Sequence, residues 1–278
     1  MSTVKISAQD VKKLRDMTGA GMMDCKKALT EAEGDFDTAV DILRKKGQKL
    51  SAKRAEREAK EGVVVALVND AKDKGVVIRL SCETDFVAKN EDFVRFTEKV
   101  TQLAIDKNPA SKEELLQLPY GNITVGEAIT EQVGKIGEKI ELAEYLKIEA
   151  PLVVSYIHLG NRAGVAVGLN KAGEAAEEAG KMVAMQIAAM RPLAVDKEGI
   201  SKETIEKEIE IGKEQARAEG KPEAILEKIA LGKLQKFYKE ATLLNQAFIS
   251  DQKQSVKQYL QGVDKELTVT GFCHTENG

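Results

Sequence analysis

One pattern occurs twice between residues 62 and 278, and it limits the fold more than any other feature. VVVALV, NDAKDKG and VVIRLSCE read as strand, turn and strand, and LVVSYIHL, GNRAG and VAVGLN repeat the arrangement. Short runs of β-branched residues divided by Gly, Asn and Asp are hairpin signals. A helix follows each hairpin: Asn90 caps one in which Phe93, Phe96, Val100 and Leu103 recur at helical spacing, and the other runs from about Glu174 to Met190, ending at Pro192. Both halves close alike, ITVGEAI leading to LAEYLKIEA and QSVKQYL to LTVTGFCH. Such a duplication predicts an α+β protein with two core subdomains, at 62–150 and 151–278, each built on a small antiparallel sheet.

The second subdomain carries an insertion at about 198–245. Ile205, Ile209, Gly212 and Ala216 form one stripe; after Pro222 a second runs through Leu226, Ala230, Leu234 and Phe237. Two helices joined by a short turn predict an antiparallel coiled-coil arm, each helix about 25–30 Å long at 1.5 Å rise per residue.

Ahead of the repeat, residues 1–47 parse as three short helices. Ser7 and Asp10 make a capping box, with Ile6 stapled onto Val11. Val11, Leu14 and Met17 share a face before TGAG breaks the helix. A second helix runs from about Met22 to Glu33. Asp35 caps a third, which turns Phe36, Val40 and Leu43 inward and has Gly47 as its stop. Residues 48–61, QKLSAKRAEREAKE, read as a solvated linker or as an extended helix with no core-facing stripe.

The chain's 278 residues carry a net charge of −3 with acids and bases interspersed, which argues against nucleic acid as the partner. Three scattered cysteines without a CxxC, no apolar run near the length of a bilayer span and no signal-peptide core predict a cytoplasmic protein that is not bound to membranes. TGAGMMDCKKAL resembles a nucleotide loop only faintly, because Asp24 replaces the third glycine and the segment follows a helix. His158 and His274 have no metal-ligand spacing around them, and a histidine on the solvent side of a strand accounts for His158 better than catalysis does. Neither a catalytic residue nor a cofactor or metal site is expected, so the chain reads as a binding protein and not an enzyme.

Three apolar groups stand out. Phe86 and Val87 follow Thr84 and Asp85, where a polar turn would be ordinary; the ring is either tucked under the next helix or held out for another molecule. Met22 and Met23 open a short helix and lie about 100° apart, as loose core filler or as an adaptable contact surface. Phe248 and Ile249 either cover the base of the arm or form a contact.

LRDMTGAGMMDCKKALTEAEGD and ETDFVAKNEDF, with GKIGEKI at 134–140 and SYIH at 155–158, closely resemble bacterial elongation factor Ts along nearly the whole chain. The resemblance implies a ubiquitin-associated-like (UBA-like) head and a guanine-nucleotide exchange factor for the GTPase elongation factor Tu. It further implies that Thr84, Asp85, Phe86 and Val87 enter the partner near its magnesium and phosphate site. Arg15, Met22, Met23 and Lys26 would place the head, and Ile136, His158, Phe248 and Ile249 would make the core contacts. The arm would reach the partner's far domain or join two copies into a homodimer, for which the core is the other route. Gln186 and Met190 depart from some members of that family. The alternative reading is a UBA-like adaptor or chaperone-like binding protein without exchange activity.

Overall fold

The computed structural model describes residues 6–278. The head contains α1 (Ala8–Thr18), α2 (Met22–Glu31) and α3 (Phe36–Arg54). The Ser7 hydroxyl accepts from the Asp10 amide at 3.1 Å, and the Asp10 carboxylate accepts from the Ser7 amide at 3.1 Å, completing the capping box. Val11, Leu14, Cys25, Ala28, Leu29 and Ala39 form the head's core, with Ile6, Phe36, Val40 and Leu43 packed against it. Met17 is exposed, contrary to its expected inward position. Thr18, one full turn after Leu14, sits half-buried in its place and donates to the Leu14 carbonyl at 2.8 Å.

The first repeat comprises β1 (Glu61–Val68), β2 (Lys74–Cys82), the single turn α4 (Asp85–Ala88), α5 (Glu91–Lys107), α6 (Lys112–Gln117), a two-stranded β3 (Pro119–Tyr120) and β4 (Ile123–Thr124), α7 (Val125–Ile136) and β5 (Glu141–Glu149). Its sheet has the order β1-β2-β5. Phe93, Phe96, Val100 and Ala104 of α5 are buried, and Asn90 caps that helix by accepting from the amides of Asp92 and Phe93.

The second repeat comprises β6 (Leu152–His158), β7 (Ala163–Leu169), α8 (Glu174–Met190), the arm helices α9 (Lys202–Ala218) and α10 (Glu223–Ala241), a short pair β8 (Ala247–Phe248) and β9 (Asp251–Ser255), α11 (Val256–Val263) and β10 (Val269–Glu276). Its order, β10-β7-β6, is the first sheet's order again: the closing strand pairs with the second strand of the hairpin. β6 and β7 are antiparallel from Leu152 opposite Leu169 to His158 opposite Ala163. In the arm, Gly212, Ala216, Leu226, Ala230 and Leu234 are buried. The stripe then continues through Tyr238 and not Phe237 as expected, because Tyr238 lies one full turn beyond Leu234 while Phe237 is only half-buried.

The chain divides into two compact units, one running up to Val64 with Ile78–Tyr145 and Glu276–Gly278, the other made of Val65–Val77 and Leu146–Thr275. The tip of the first hairpin therefore counts with the second unit, where the Lys72 carbonyl accepts from the Val153 amide at 2.7 Å. Among the described residues no helix is long and apolar enough to cross a membrane.

α3 does not stop at Gly47; it continues to Arg54, so the helical alternative holds for the first half of 48–61. Gly47 is buried against α7: a Cβ there would lie 3.2 Å from the Thr130 carbonyl oxygen, and one at Gly134 would lie 3.2 Å from the Gly47 Cα. These glycines mark the place where the two backbones cross, not a helix end. Gly47→Val should therefore part α3 from α7 and cost about 1–3 kcal/mol, the usual cost of overpacking. Amide exchange in α3 would report it; protection equal to wild type would place the crossing elsewhere.

Candidate functional site

β2 ends at Cys82, and the chain passes through Glu83 into α4, with Thr84 extended at φ −126° as its N-cap. Phe86 is 83% exposed, and no residue of α4 is buried. Asp85 pairs with Lys89 at 2.7 Å, and the bonded ammonium keeps its carboxyl below the ordinary range. A lone turn of helix does not hold itself together in water, since nucleation fixes several residues for one hydrogen bond. An exposed ring on such a turn would fold back onto apolar surface unless the turn were pinned.

Two reciprocal carboxylates pin it. Glu138 accepts from the amides of Glu83 and Thr84, both at 3.0 Å, and from the Thr84 hydroxyl at 2.7 Å. Glu83 in return accepts from the Lys139 amide at 2.6 Å, Arg54 at 2.5 Å and Arg57 at 3.0 Å. Gly137 makes the turn by which α7 ends, with φ +82°, a backbone conformation that suits glycine. Burial alone would raise the Glu83 carboxyl, but the Lys139 amide and the guanidiniums of Arg54 and Arg57 outweigh it and hold it at about 2. The buried Cys82 thiol donates to the Thr84 carbonyl at 3.2 Å; burial first, and the Glu138 charge second, push it up to about 12, so it stays protonated and inert at neutral pH.

The other candidate residues sort by exposure. Arg15 on α1 and Lys26 on α2 are exposed, as are Met22 at 45% and Met23 at 65%, so neither methionine fills the core. Met22 and Lys26 lie one turn apart on α2 and share a face. Ile136, the last residue of α7, is half-buried two positions before Glu138. His158 is half-buried at the end of β6, with Nδ1 3.0 Å from the Tyr156 hydroxyl, and is followed by the exposed Leu159 in the left-handed region at φ +47°. The Phe248–Ile249 pair divides. Phe248 is 3% exposed in the second repeat's core, stacked on Tyr259 with centroids 4.1 Å apart, so its side chain offers no contact surface in this structure. Ile249 is 38% exposed and is held by its amide, which donates to buried Gln186 at 2.8 Å. Among the described residues no three His, Cys, Asp or Glu side chains are grouped to hold a metal ion.

The family model described as "Elongation factor TS" matches residues 83–278, starting at the residue that opens the double carboxylate clasp. Elongation factor Ts of Christiangramia forsetii is 56% identical over 268 residues, covering 96% of this chain and 97% of that protein. The one from Cytophaga hutchinsonii is 55% identical over 98% of both chains, and that of Amoebophilus asiaticus 53% identical over 96% of this chain and 97% of its own. The chain belongs to the elongation factor Ts family. It is therefore a translation elongation factor.

In this member of the elongation factor Ts family, the charge on Glu83 ties stability to pH. The depressed Glu83 pKa contributes stability that is fully present above the ordinary carboxylate value, about 4.5, and is lost as pH falls through about 2. Between those values wild type should lose stability more steeply than Glu83→Gln, read by denaturant melts at stepped pH. Parallel curves would show that the clasp is not charged as described. Arg54, Glu83 and Glu138 are the site residues that spacing did not reveal, although Glu138 lies within GKIGEKI and Glu83 borders TDFVAKN.

Proposed function

We propose that this chain is the guanine-nucleotide exchange factor for elongation factor Tu, with Phe86 as the wedge that loosens the partner's grip on GDP. The single observation that carries this reading is a phenylalanine ring left in water on a turn fixed by two carboxylates. A GDP-bound GTPase holds its nucleotide through magnesium and a ring of backbone donors around the phosphates. Asp85 and Phe86 would enter between helices of its G domain, misplace those ligands slightly and let GDP leave. Burying the ring supplies about 1.5–3 kcal/mol, too little alone to offset tight nucleotide binding.

The remainder comes from a broad interface. Arg15, Met22, Met23 and Lys26 would hold the head against the same domain, Ile136, His158 and Ile249 would serve as core contacts, and the arm would reach a further domain. Coupling is reciprocal, so whatever weakens GDP in the complex is weakened by GDP in turn, and incoming nucleotide expels the factor. The factor thus binds the GDP-bound and nucleotide-free forms, and no bond is made or broken by its own residues. Substoichiometric protein should speed the release of labelled GDP from elongation factor Tu; release at the spontaneous rate would overturn the reading.

A further inference from the structure

α3 reaches from the head to the clasp. At one end Ala39 lies in the head's core beneath α2, the helix that carries Met22 and Met23. Midway, Gly47 crosses Gly134, and Arg44 donates to Glu131 of α7 at 2.9 Å. At the far end Arg54 donates to Glu83 at 2.5 Å. Ala39 and Arg54 are thus about 22 Å apart along one helix. α7 is fixed to this strut at Glu131 and Gly134, and Glu138, just past its end, receives the amides that open α4. At the entrance to the Phe86 turn, the bonds that Glu138 accepts and those that Glu83 accepts from Arg54 and the Lys139 amide lead back to α3 or to the segment just past α7.

We propose that Arg54 and Glu138 are positioning residues for Phe86, and that the head, through α3, supports the wedge as well as docking on the partner. The inference rests on the reading of Phe86 as the wedge and assigns the groups that keep it outward before the partner arrives. Ordering the turn beforehand removes an entropic cost that would otherwise fall on the complex. Arg54 has the position for this: its side chain is 22% exposed and meets Glu83 directly, whereas Arg57, which meets the other oxygen of Glu83, is 58% exposed. Without the clasp, α4 loses its starting point and the ring is free to lie back on its own subdomain.

The test compares Arg54→Ala, Arg54→Lys, Glu138→Ala, Phe86→Ala and the double variant Arg54→Ala/Phe86→Ala in the full chain. It reads GDP release from elongation factor Tu at saturating factor, the half-saturating concentration, and amide exchange of residues 83–90 in the free protein. Arg54→Ala and Glu138→Ala should lower the saturating rate about tenfold, with about threefold or less change in half-saturation. Arg54→Lys, which keeps the cation, should recover most of the rate, and the 83–90 amides of the alanine variants should exchange faster. Because Arg54 acts through the ring, the double variant should be no slower than Phe86→Ala. A general structural weakening would instead multiply the two losses, and that result overturns the proposal. So does a normal rate in Arg54→Ala and Glu138→Ala when Phe86→Ala is slow. A normal rate in Phe86→Ala defeats the wedge reading itself, and this inference with it. If Glu138→Ala does not fold, Arg54→Ala and Arg54→Lys decide the question.

Discussion

Phe86→Ala should lower the rate of GDP release from elongation factor Tu by about 10- to 100-fold and leave the free protein's melting temperature within about 2 °C of wild type. The first half of that expectation follows if, as proposed, the ring is buried only in the complex: about 1.5–3 kcal/mol of transfer free energy, at about 1.4 kcal/mol per decade of rate. The second half follows from exposure, since an 83% exposed side chain makes few contacts to lose and surface substitutions stay within about 0.5 kcal/mol. Rate and stability therefore part company at this residue. Were the substitution to cost the about 3–5 kcal/mol typical of core phenylalanines, the ring would belong to the subdomain and not to the partner.

Phe248→Ala has the opposite signature. That ring is sealed among Leu243, Val256 and Leu260 and stacked on Tyr259. Its loss should cost about 3–5 kcal/mol, of which the stack accounts for about 0.5–1.5. At about 2–4 °C per kcal/mol, the melting temperature should fall by roughly 10 °C in calorimetry. Ile249→Ala, at the neighbouring half-exposed position, should cost under about 1 kcal/mol and act on partner affinity instead. An unchanged melting temperature in Phe248→Ala would mean that the stacked ring is not the core element described.

Local and periodic features were legible in the sequence. The twofold pattern of hairpin, helix and closing strand reappears as two sheets of one order, and the caps at Ser7, Asp35 and Asn90 form where spacing placed them. Features that depend on a distant segment were not. Gly47 has the sequence signature of a helix stop and becomes a crossing only because Gly134 lies opposite. The clasp joins residues 26 to 56 positions apart through single polar contacts, and such contacts leave no period to find. The sequence leaves open whether Phe86 faces water for the same reason, because its surroundings include residues far along the chain. At Phe248 and Ile249 the division is local: within β8 Ala247 faces out and Phe248 in, and Ile249 lies in the turn that follows.

The chain contains no tryptophan, so Phe86→Trp would place a single indole at the proposed wedge. Its fluorescence, taken as the difference from the wild-type complex, measures the central claim directly. In the free protein the emission should be that of a water-exposed indole and be quenched readily by iodide. On adding nucleotide-free elongation factor Tu it should shift to the blue and become protected. A blue-shifted, protected indole in the free protein, or one that stays open to iodide in the complex, would contradict the account.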